Sequence, residues 1–273
     1  MDNQKLIDDV NKSGFPLQIA IGHHIEETHR EHGWKIEYKE HAWKNVADGN
    51  EGFLDLAIRN AYATSMLVIE CKRVLDASWV FLVNDEKQMK RRRAKPWANY
   101  MKAAPVFSYA GWADIALDPA TPQSEFCVVS SSKEGKATLK LEPIAAELLS
   151  ATEALANEEG PIQIRTLHEL SMYFGVIVTT AKLKVCTVKP EAISLADGKF
   201  ALTDAKVVEY PYVRFHKQLS TRHSSIDPRA VDPFDAMARA KERTVFVVNA
   251  ENLIEFLKEF EVDGDSLVRA MAV

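Results

Sequence analysis

The stretch GFLDLAIRNAYATSMLVIECKR, from Gly52 to Arg73, constrains the fold most, because it places ionisable side chains inside two otherwise apolar segments. FLDLAIRN and MLVIECKR are rich in aliphatic residues and are separated by a short polar segment, which is typical of two β-strands joined by a turn. Asp55 interrupts the first segment, and Glu70 and Lys72 interrupt the second. Because burying an unpaired charge is costly, these three residues need partners or a bound cation.

Two further patterns precede this stretch. Residues 16–32 carry apolar side chains at spacings of three and four, begin with Pro16 and are followed by Gly33, which predicts a helix with one buried stripe. WKIEYKEHAW, residues 34–43, alternates apolar and polar side chains as a half-buried strand does. The first third of the chain is therefore predicted to form a helix followed by three strands.

The rest of the chain continues this mixture of helices and strands. WVFLVN at 79–84 predicts another strand, and the Ala, Leu and Glu content of 143–159 predicts a helix. Further elements are predicted as strands at 176–180, 183–188, around 207–215 and at 244–249, and as helices near 232–242 and at 251–260. No repeat and no Pro, Gly or Ser linker divides the sequence, so residues 1–273 are predicted to form one α/β domain.

Composition excludes several classes of protein. The chain has 273 residues, of which 47% are hydrophobic, and this is enough for a sizeable core. Its net charge of -5 gives no global basic character, so any nucleic-acid binding must rest on local patches. Cys71, Cys127 and Cys186 form no CxxC pair, and no apolar run approaches the roughly 18 residues of a membrane span. We expect a cytoplasmic protein without disulfides and without membrane contact.

The charged residues of the opening stretch suit a metal site if its two segments are neighbouring strands. Glu70 and Lys72 are two residues apart and share one face, while Asp55 approaches them from the next strand. Two such carboxylates are ligands that Mg²⁺ prefers, and the backbone carbonyl of Cys71 is a candidate further ligand. Lys72 is placed to orient or help deprotonate a water, or to stabilise a phosphate. These are the parts of a metal-dependent phosphodiesterase.

These motifs resemble those of the PD-(D/E)-x-K nuclease superfamily. GFLDL corresponds to the segment with the metal-binding Asp55, and VIECK corresponds to the Glu70-x-Lys72 motif, with 14 residues between the two acids. The preceding helix and strand arrive in the family's order, so the resemblance covers residues 14–84. Residues 143–273 are expected to complete or decorate the sheet. Leu54 stands where the proline that names the motif would be.

The resemblance implies a restriction-endonuclease-like fold, in which helices flank a mixed central sheet. Its core is a helix, three antiparallel strands, a helix and a fourth strand, here followed by a C-terminal α/β elaboration. The implied activity is a nuclease that uses Mg²⁺ or Mn²⁺ to cleave DNA, or less favourably RNA, with Asp55, Glu70 and Lys72 as catalytic residues. Many members add a polar residue to the metal site, and Gln18 and Glu40 are the candidates here.

The resemblance to this superfamily also implies a biological setting and binding partners. Members of this superfamily are often bacterial restriction, repair or antiviral defence nucleases and are frequently dimeric. The expected partners are therefore a DNA substrate, a second copy of the chain or a defence-system protein.

A basic run follows the motif region. Six side chains between residues 87 and 95 are cationic, and Trp97 and Tyr100 follow them. Phosphate contacts release counterions and an aromatic ring can stack on an unpaired base, so we expect a nucleic-acid-binding loop beside the active site. The predicted contacts are Lys90, Arg91, Arg92, Arg93 and Lys95. A second candidate for substrate contact is the basic cluster of Arg214, His216, Lys217, Arg222 and His223.

Three other interpretations remain open. Glu70 and Lys72 can form a solvated ion pair without function, as such pairs do in many strands. The fold can be catalytically silent and serve to bind nucleic acid or to recruit a partner enzyme. The chain can also be an interaction subunit whose basic run docks on an acidic protein. Residues 66–69 oppose the first interpretation, since a continuous apolar run predicts a strand buried on both faces.

Overall fold

The computed structural model describes residues 2–103, 106–131, 140–166, 169–219 and 232–266. Its α-helices are α1 (Asn3–Lys12), α2 (Phe15–His32), α3 (Leu141–Thr166), α4 (Pro233–Ala240) and α5 (Leu253–Glu259). Its strands are β1 (Trp34–Lys44), β2 (Glu51–Asn60), β3 (Ser65–Lys72), β4 (Ala77–Val83), β5 (Arg91–Ala94), β6 (Trp97–Ala103), β7 (Val106–Trp112), β8 (Ile115–Thr121), β9 (Gln123–Ser124), β10 (Phe126–Ser131), β11 (Leu170–Thr179), β12 (Lys182–Val188), β13 (Ala205–Glu209), β14 (Tyr212–Gln218), β15 (Glu242–Asn249) and β16 (Glu261–Val262). The α/β class predicted from the sequence is confirmed.

The largest sheet in the described part of the chain has nine strands. β1, β2 and β3 form an antiparallel meander, and β11 pairs with β3 in parallel after a long connection that includes α3. β15 extends the sheet parallel to β11, followed by β14 and β9, while the β6–β7 hairpin pairs with the first residues of β11. The carboxyl ends of β3, β11 and β15 therefore lie at the same end of the sheet.

The helix predicted at 16–32 is α2, which agrees with the prediction to within one residue. Pro16 lies in its first turn, where the missing N–H costs nothing, and Gly33 ends it with a left-handed φ of 76°. Ile21 and Ile25 are buried against the sheet and explain the spacing of its apolar residues. This helix covers the first two strands close to Asp55.

Two apolar clusters cover the two faces of the largest sheet. One contains Val68 of β3 and Leu148 of α3, and the other contains Leu67 of β3 together with residues of α2 and α5. Because side chains alternate along a strand, Glu70 and Lys72 lie on the same face as Val68. The charged residues of β3 therefore face the side of the sheet that α3 covers.

The remaining described strands form two small sheets, in the orders β10-β4-β12-β13 and β16-β8-β5. The single strand predicted around 207–215 is wrong, because the chain divides there into β13 of a small sheet and β14 of the largest sheet. Pro211 lies at the division, where its missing N–H interrupts strand pairing. Among the described helices, none is both long and apolar enough to cross a membrane.

Candidate active site

Three acidic residues occupy corresponding positions on β1, β2 and β3. The last regular pair between β2 and β3 joins Leu56 to Ile69, so the next positions along the two strands are Asp55 and Glu70. Lys39 and His41 of β1 pair with the residues on either side of Asp55, which places Glu40 opposite Asp55. The Asp55 carboxylate bonds to the amide of Cys71, the residue after Glu70, and its charge acts on Glu70, so the two acids adjoin each other.

Asp55 contacts the backbone of β3 as well as its side chains. Its Oδ2 accepts a hydrogen bond of 2.6 Å from the backbone N–H of Cys71. In an antiparallel pair the N–H and C=O of one residue point to the same side, so the Cys71 carbonyl also faces β2. Burial raises the pKa of the Asp55 carboxyl, although the Cys71 amide and the charge of Lys72 oppose that change. The Cys71 thiol is itself buried, which raises its pKa and makes it unreactive.

Glu70 and Lys72 form an ion pair on the α3 face of β3. Their side chains are 21% and 34% exposed, respectively, so the pair is only partly hydrated. Burial and the nearby charge of Asp55 raise the pKa of Glu70, and Lys72 only partly offsets them. Burial works against the charge of Lys72, but the contacts with Glu70 and the charge of Asp55 outweigh it and raise the pKa. The ammonium is therefore protonated at neutral pH and shared between two carboxylates.

Glu147 of α3 is a further member of the site that the sequence did not identify. Its charge adds to those that raise the pKa of Glu70 and of Lys72. It also lines a cavity of about 460 Å³ between α3 and the β1–β2 hairpin, together with Trp43 and Ser150. No local signal distinguishes Glu147, because it is one of several glutamates in an Ala- and Leu-rich helix.

The two accessory candidates, Gln18 and Glu40, contact each other beside Asp55. The Gln18 side chain is buried, and its Nε2 donates to the Glu40 carboxylate and, at 3.2 Å, to the backbone carbonyl of Asp55. Glu40 has a φ of 50°, a left-handed conformation that costs a non-glycine residue roughly 1 kcal/mol or more. Glu40 therefore occupies a strained backbone position next to the predicted site. It does not pair with Lys39 or Arg59, which bind other acids.

The described residues contain no group of three or more His, Cys, Asp or Glu side chains placed to hold a metal ion. The ligands predicted from the sequence are two carboxylates, of Asp55 and Glu70, and the backbone carbonyl of Cys71. A set of this kind leaves several positions of a Mg²⁺ ion to water, as is usual for this ion. The metal site stays a prediction.

The basic run does not form one loop beside the site. Residues 86–90 form a short 3₁₀ helix and Arg91–Ala94 form β5. The guanidinium of Arg92 donates two hydrogen bonds to the carboxylate of Asp118, of 2.7 and 2.8 Å. Lys95 is 4% exposed, and its ammonium donates to the carbonyl of Arg239, so it is not available to a bound nucleic acid. Lys90 and Arg93 are exposed, and Arg91 is half-buried.

The second basic cluster is also divided. Arg214 is fully buried and donates to the carbonyls of Leu117 and Pro119, so it stabilises the core rather than contacting a substrate. Arg222 and His223 lie outside the described residues.

The geometry thus brings together Asp55, Glu70 and Lys72 as predicted, with Gln18 and Glu40 adjoining them. Chemically, two carboxylates of raised pKa and one ammonium can bind a divalent cation and orient water. Comparison of the chain with protein-family models, with curated protein sequences and with solved structures finds no match.

Proposed function

We propose that this protein is a metal-dependent nuclease of the PD-(D/E)-x-K type that hydrolyses phosphodiester bonds of DNA, with RNA the less favoured substrate. The closeness of Asp55 to Glu70 carries the proposal, since two partly buried carboxylates on neighbouring strands need a cation beyond Lys72 to balance them. The order α2, β1, β2, β3, then α3 and β11 parallel to β3 supports it, because the restriction-endonuclease-like core has these elements in this order; here β4 to β10 are inserted between β3 and α3.

The residues present fit a Mg²⁺ or Mn²⁺ ion by the chemistry of their donors. Asp55, Glu70 and the Cys71 carbonyl would hold it, and all three are hard oxygen ligands. The ion would supply a water of lowered pKa and charge stabilisation at the scissile phosphate. Asp55 is held toward β3 by the Cys71 amide, so its carboxylate needs little reorganisation to act as a ligand.

Lys72 has a narrower role than the sequence alone indicated. Its pKa is raised, so at neutral pH it is a proton donor and not a base. An ammonium has three donors, and one of them is engaged by Glu70. The others can orient the attacking water or stabilise negative charge on the phosphate. Lys72 is therefore proposed as an electrostatic and positioning group for the reacting atoms.

The experiment is to incubate supercoiled plasmid and single-stranded DNA with the protein in Mg²⁺, Mn²⁺ or EDTA. We expect metal-dependent cleavage that Lys72→Ala lowers about 10²- to 10³-fold, the usual effect of removing one group that stabilises a transition state. Lys44→Ala is the matched control, because Lys44 forms an exposed cross-strand pair with Glu51 in the same meander. Equal cleavage by the Lys72→Ala variant and the wild type would contradict the proposal.

A second candidate is a catalytically silent nuclease fold that binds nucleic acid or recruits a partner enzyme. It is favoured by one observation, that Lys72 pairs directly with Glu70 and so balances one of the two carboxylates without a metal ion. Retained DNA binding without cleavage by the wild type in any metal would select this candidate. Restriction, repair or antiviral defence remains the setting that the resemblance implies.

A further inference from the structure

A cavity of about 590 Å³ lies beside β5 and α4, away from the candidate active site. Its cationic lining residues are Arg91, Arg93, Lys95 and Arg239, and its acidic ones are Asp114 and Glu242. Cations exceed acids in this lining although the whole chain has a net charge of -5. A concentration of positive charge in a concave site favours an anionic ligand.

Two arginines of β5 point into this cavity, while the one between them does not. Arg91 and Arg93 line the cavity, and Arg92 is held by Asp118. This is the alternation expected of a strand. Among the described residues no carboxylate forms an ion pair with Arg91 or Arg93, whereas Arg92 between them is paired with Asp118. The Nε of Arg91 is itself buried, so its terminal nitrogens are the ones offered to a ligand. These guanidinium groups retain donors for a ligand.

Lys95 adds a buried positive charge behind the cavity wall, although its engaged ammonium is not a direct contact for a ligand. Its ammonium donates to the Arg239 carbonyl at 2.6 Å and lies 3.5 Å from Asp114. Burial lowers the pKa of Lys95, and Asp114 only partly compensates. A buried cation with incomplete compensation is stabilised by a nearby anion.

The part of the cavity wall that Lys95 forms and the Glu70–Lys72 pair are on different faces of the largest sheet, although Trp112, which also lines the cavity, belongs to the α3-face cluster. Glu70 of β3 is paired with Ile177 of β11, which is paired with Val247 of β15. The side chains of these paired residues lie on the face that α3 covers. The Lys95 amide bonds to Thr244 Oγ1, and Thr244 alternates with Val245 of that face. Thr244 is also three residues from Val247, which is roughly 10 Å along β15. The cavity is therefore not a subsite for the scissile phosphate.

We propose that this cavity is a separate binding site for the phosphate group of a nucleotide-sized ligand, with Arg91 and Arg93 as its principal contacts. Its volume is that of a site for one small molecule and is too small for a duplex. Paired guanidinium forks match phosphate oxygens in geometry and charge. The phosphate belongs to a mononucleotide or to the 5′ end of a nucleic-acid strand, which share the same monoester chemistry.

The test is a titration of the full chain in EDTA, which removes divalent ions from the candidate active site. The probes are adenosine 5′-monophosphate, adenosine, and a single-stranded oligonucleotide with either a 5′-phosphate or a 5′-hydroxyl. We expect the phosphorylated member of each pair to bind at least about tenfold more tightly, as charge-assisted hydrogen bonds do. A preference among the two phosphorylated probes identifies the source of the phosphate.

Variants of single residues distinguish binding in the cavity from nonspecific attraction to positive charge. Arg93→Ala is expected to weaken binding of the phosphorylated probe about tenfold or more, and Arg93→Lys is expected to restore part of it. Arg92→Ala removes the same charge from the neighbouring position and is expected to leave binding unchanged. Lys44→Ala removes an exposed charge outside both sites and should also leave it unchanged. Because no metal is present in EDTA and no cleavage is measured, this result is independent of the nuclease proposal. Equal binding by the Arg93→Ala variant, equal loss in Arg92→Ala, or no preference for phosphate would overturn the inference.

Discussion

Two charged clusters lie on the same face of the sheet under the same helix, and they differ in how completely their charges are neutralised. The Asp55 cluster consists of Asp55, Glu70 and Lys72. The Glu159 cluster consists of Glu159 of α3 with Arg59, Tyr38 and Tyr173. Glu70 lies on the face of β3 that α3 covers, and Arg59 binds Glu159 of α3, so both clusters adjoin this helix.

The Glu159 cluster is fully satisfied. Both oxygens of Glu159 accept from the Arg59 guanidinium, at 2.6 and 2.7 Å, and each also accepts a tyrosine hydroxyl. Burial and the neighbouring Glu159 charge raise the pKa of Tyr38 to about 12, so the hydroxyl stays a donor. Burial works against the charge of Arg59, but Glu159 outweighs it and raises the pKa. The buried Glu159 carboxylate thus has one base and two neutral donors, and Glu37, which is more exposed, lies 3.7 Å from the same guanidinium.

The Asp55 cluster is less completely neutralised, because two partly buried carboxylates, with Glu147 nearby, surround one ammonium and no tyrosine hydroxyl of the described residues donates to them. Burial raises the pKa of both Asp55 and Glu70, so each charged form is disfavoured in the folded protein. Both clusters lie between the largest sheet and α3. They therefore differ in how their charges are neutralised and not in where they lie. A satisfied buried pair is expected to stabilise the fold, and an acid-rich cluster is expected to be retained for binding.

The largest effect is expected from breaking the Glu159 cluster. Glu159→Ala leaves the mostly buried Arg59 guanidinium with only the longer, 3.7 Å contact to Glu37, which should lower the free energy of unfolding by about 3 kcal/mol. Glu158→Ala is the control, because Glu158 is an exposed neighbour that pairs with His41, and it should change stability by less than about 1 kcal/mol. Chemical denaturation measures both. Similar losses in the two variants would show that the Glu159 cluster has no special role.

The next effect concerns the Asp55 cluster and a divalent cation. An ion that binds only the folded protein raises the free energy of unfolding, by about 2.7 kcal/mol at a concentration of 100 Kd. We expect Mn²⁺ to raise the Tm of the wild type and not that of Asp55→Asn. Glu51→Gln, on the same strand but exposed, should respond as the wild type does. If Asp55→Asn is stabilised equally, the ion binds elsewhere.

The difference between the clusters also bears on what the sequence predicts. Pro16 and Gly33 mark the ends of α2, and the two-residue spacing of Glu70 and Lys72 fixes their common face, because both signals are local. The contact between Arg59 and Glu159 joins residues 100 apart in the sequence, and no local pattern indicates it. Glu147 is missed for the same reason, since only the packing of α3 brings it to β3. The sequence therefore predicts the residues of the Asp55 cluster more readily than those of the Glu159 cluster. A charged residue inside an apolar strand is visible in the local sequence, whereas a contact between distant residues is not.

A smaller effect is expected for Asp55→Asn without metal. A carboxyl whose folded pKa is raised adds stability that is fully present below its unfolded value near pH 4 and is lost as pH rises through the folded value. At pH 7 in EDTA, removing this charge should raise the free energy of unfolding by about 1 kcal/mol. The asparagine still offers an oxygen to the Cys71 amide. The gain should shrink as the pH falls toward 4, and a variant less stable than the wild type at pH 7 would make Asp55 a structural residue.

The smallest effect tests whether the strain at Glu40 belongs to the fold or to the Asp55 cluster. Glu40→Ala and Glu40→Gly both remove the carboxylate that Gln18 contacts, but only glycine adopts the φ of 50° without cost. The glycine variant should therefore be more stable than the alanine variant by about 1 kcal/mol in thermal unfolding. If Glu40 is an accessory residue, both variants should lose the same fraction of nuclease activity despite their different stabilities. Activity that follows stability would instead assign Glu40 a backbone role, because the alanine variant alone would then be impaired.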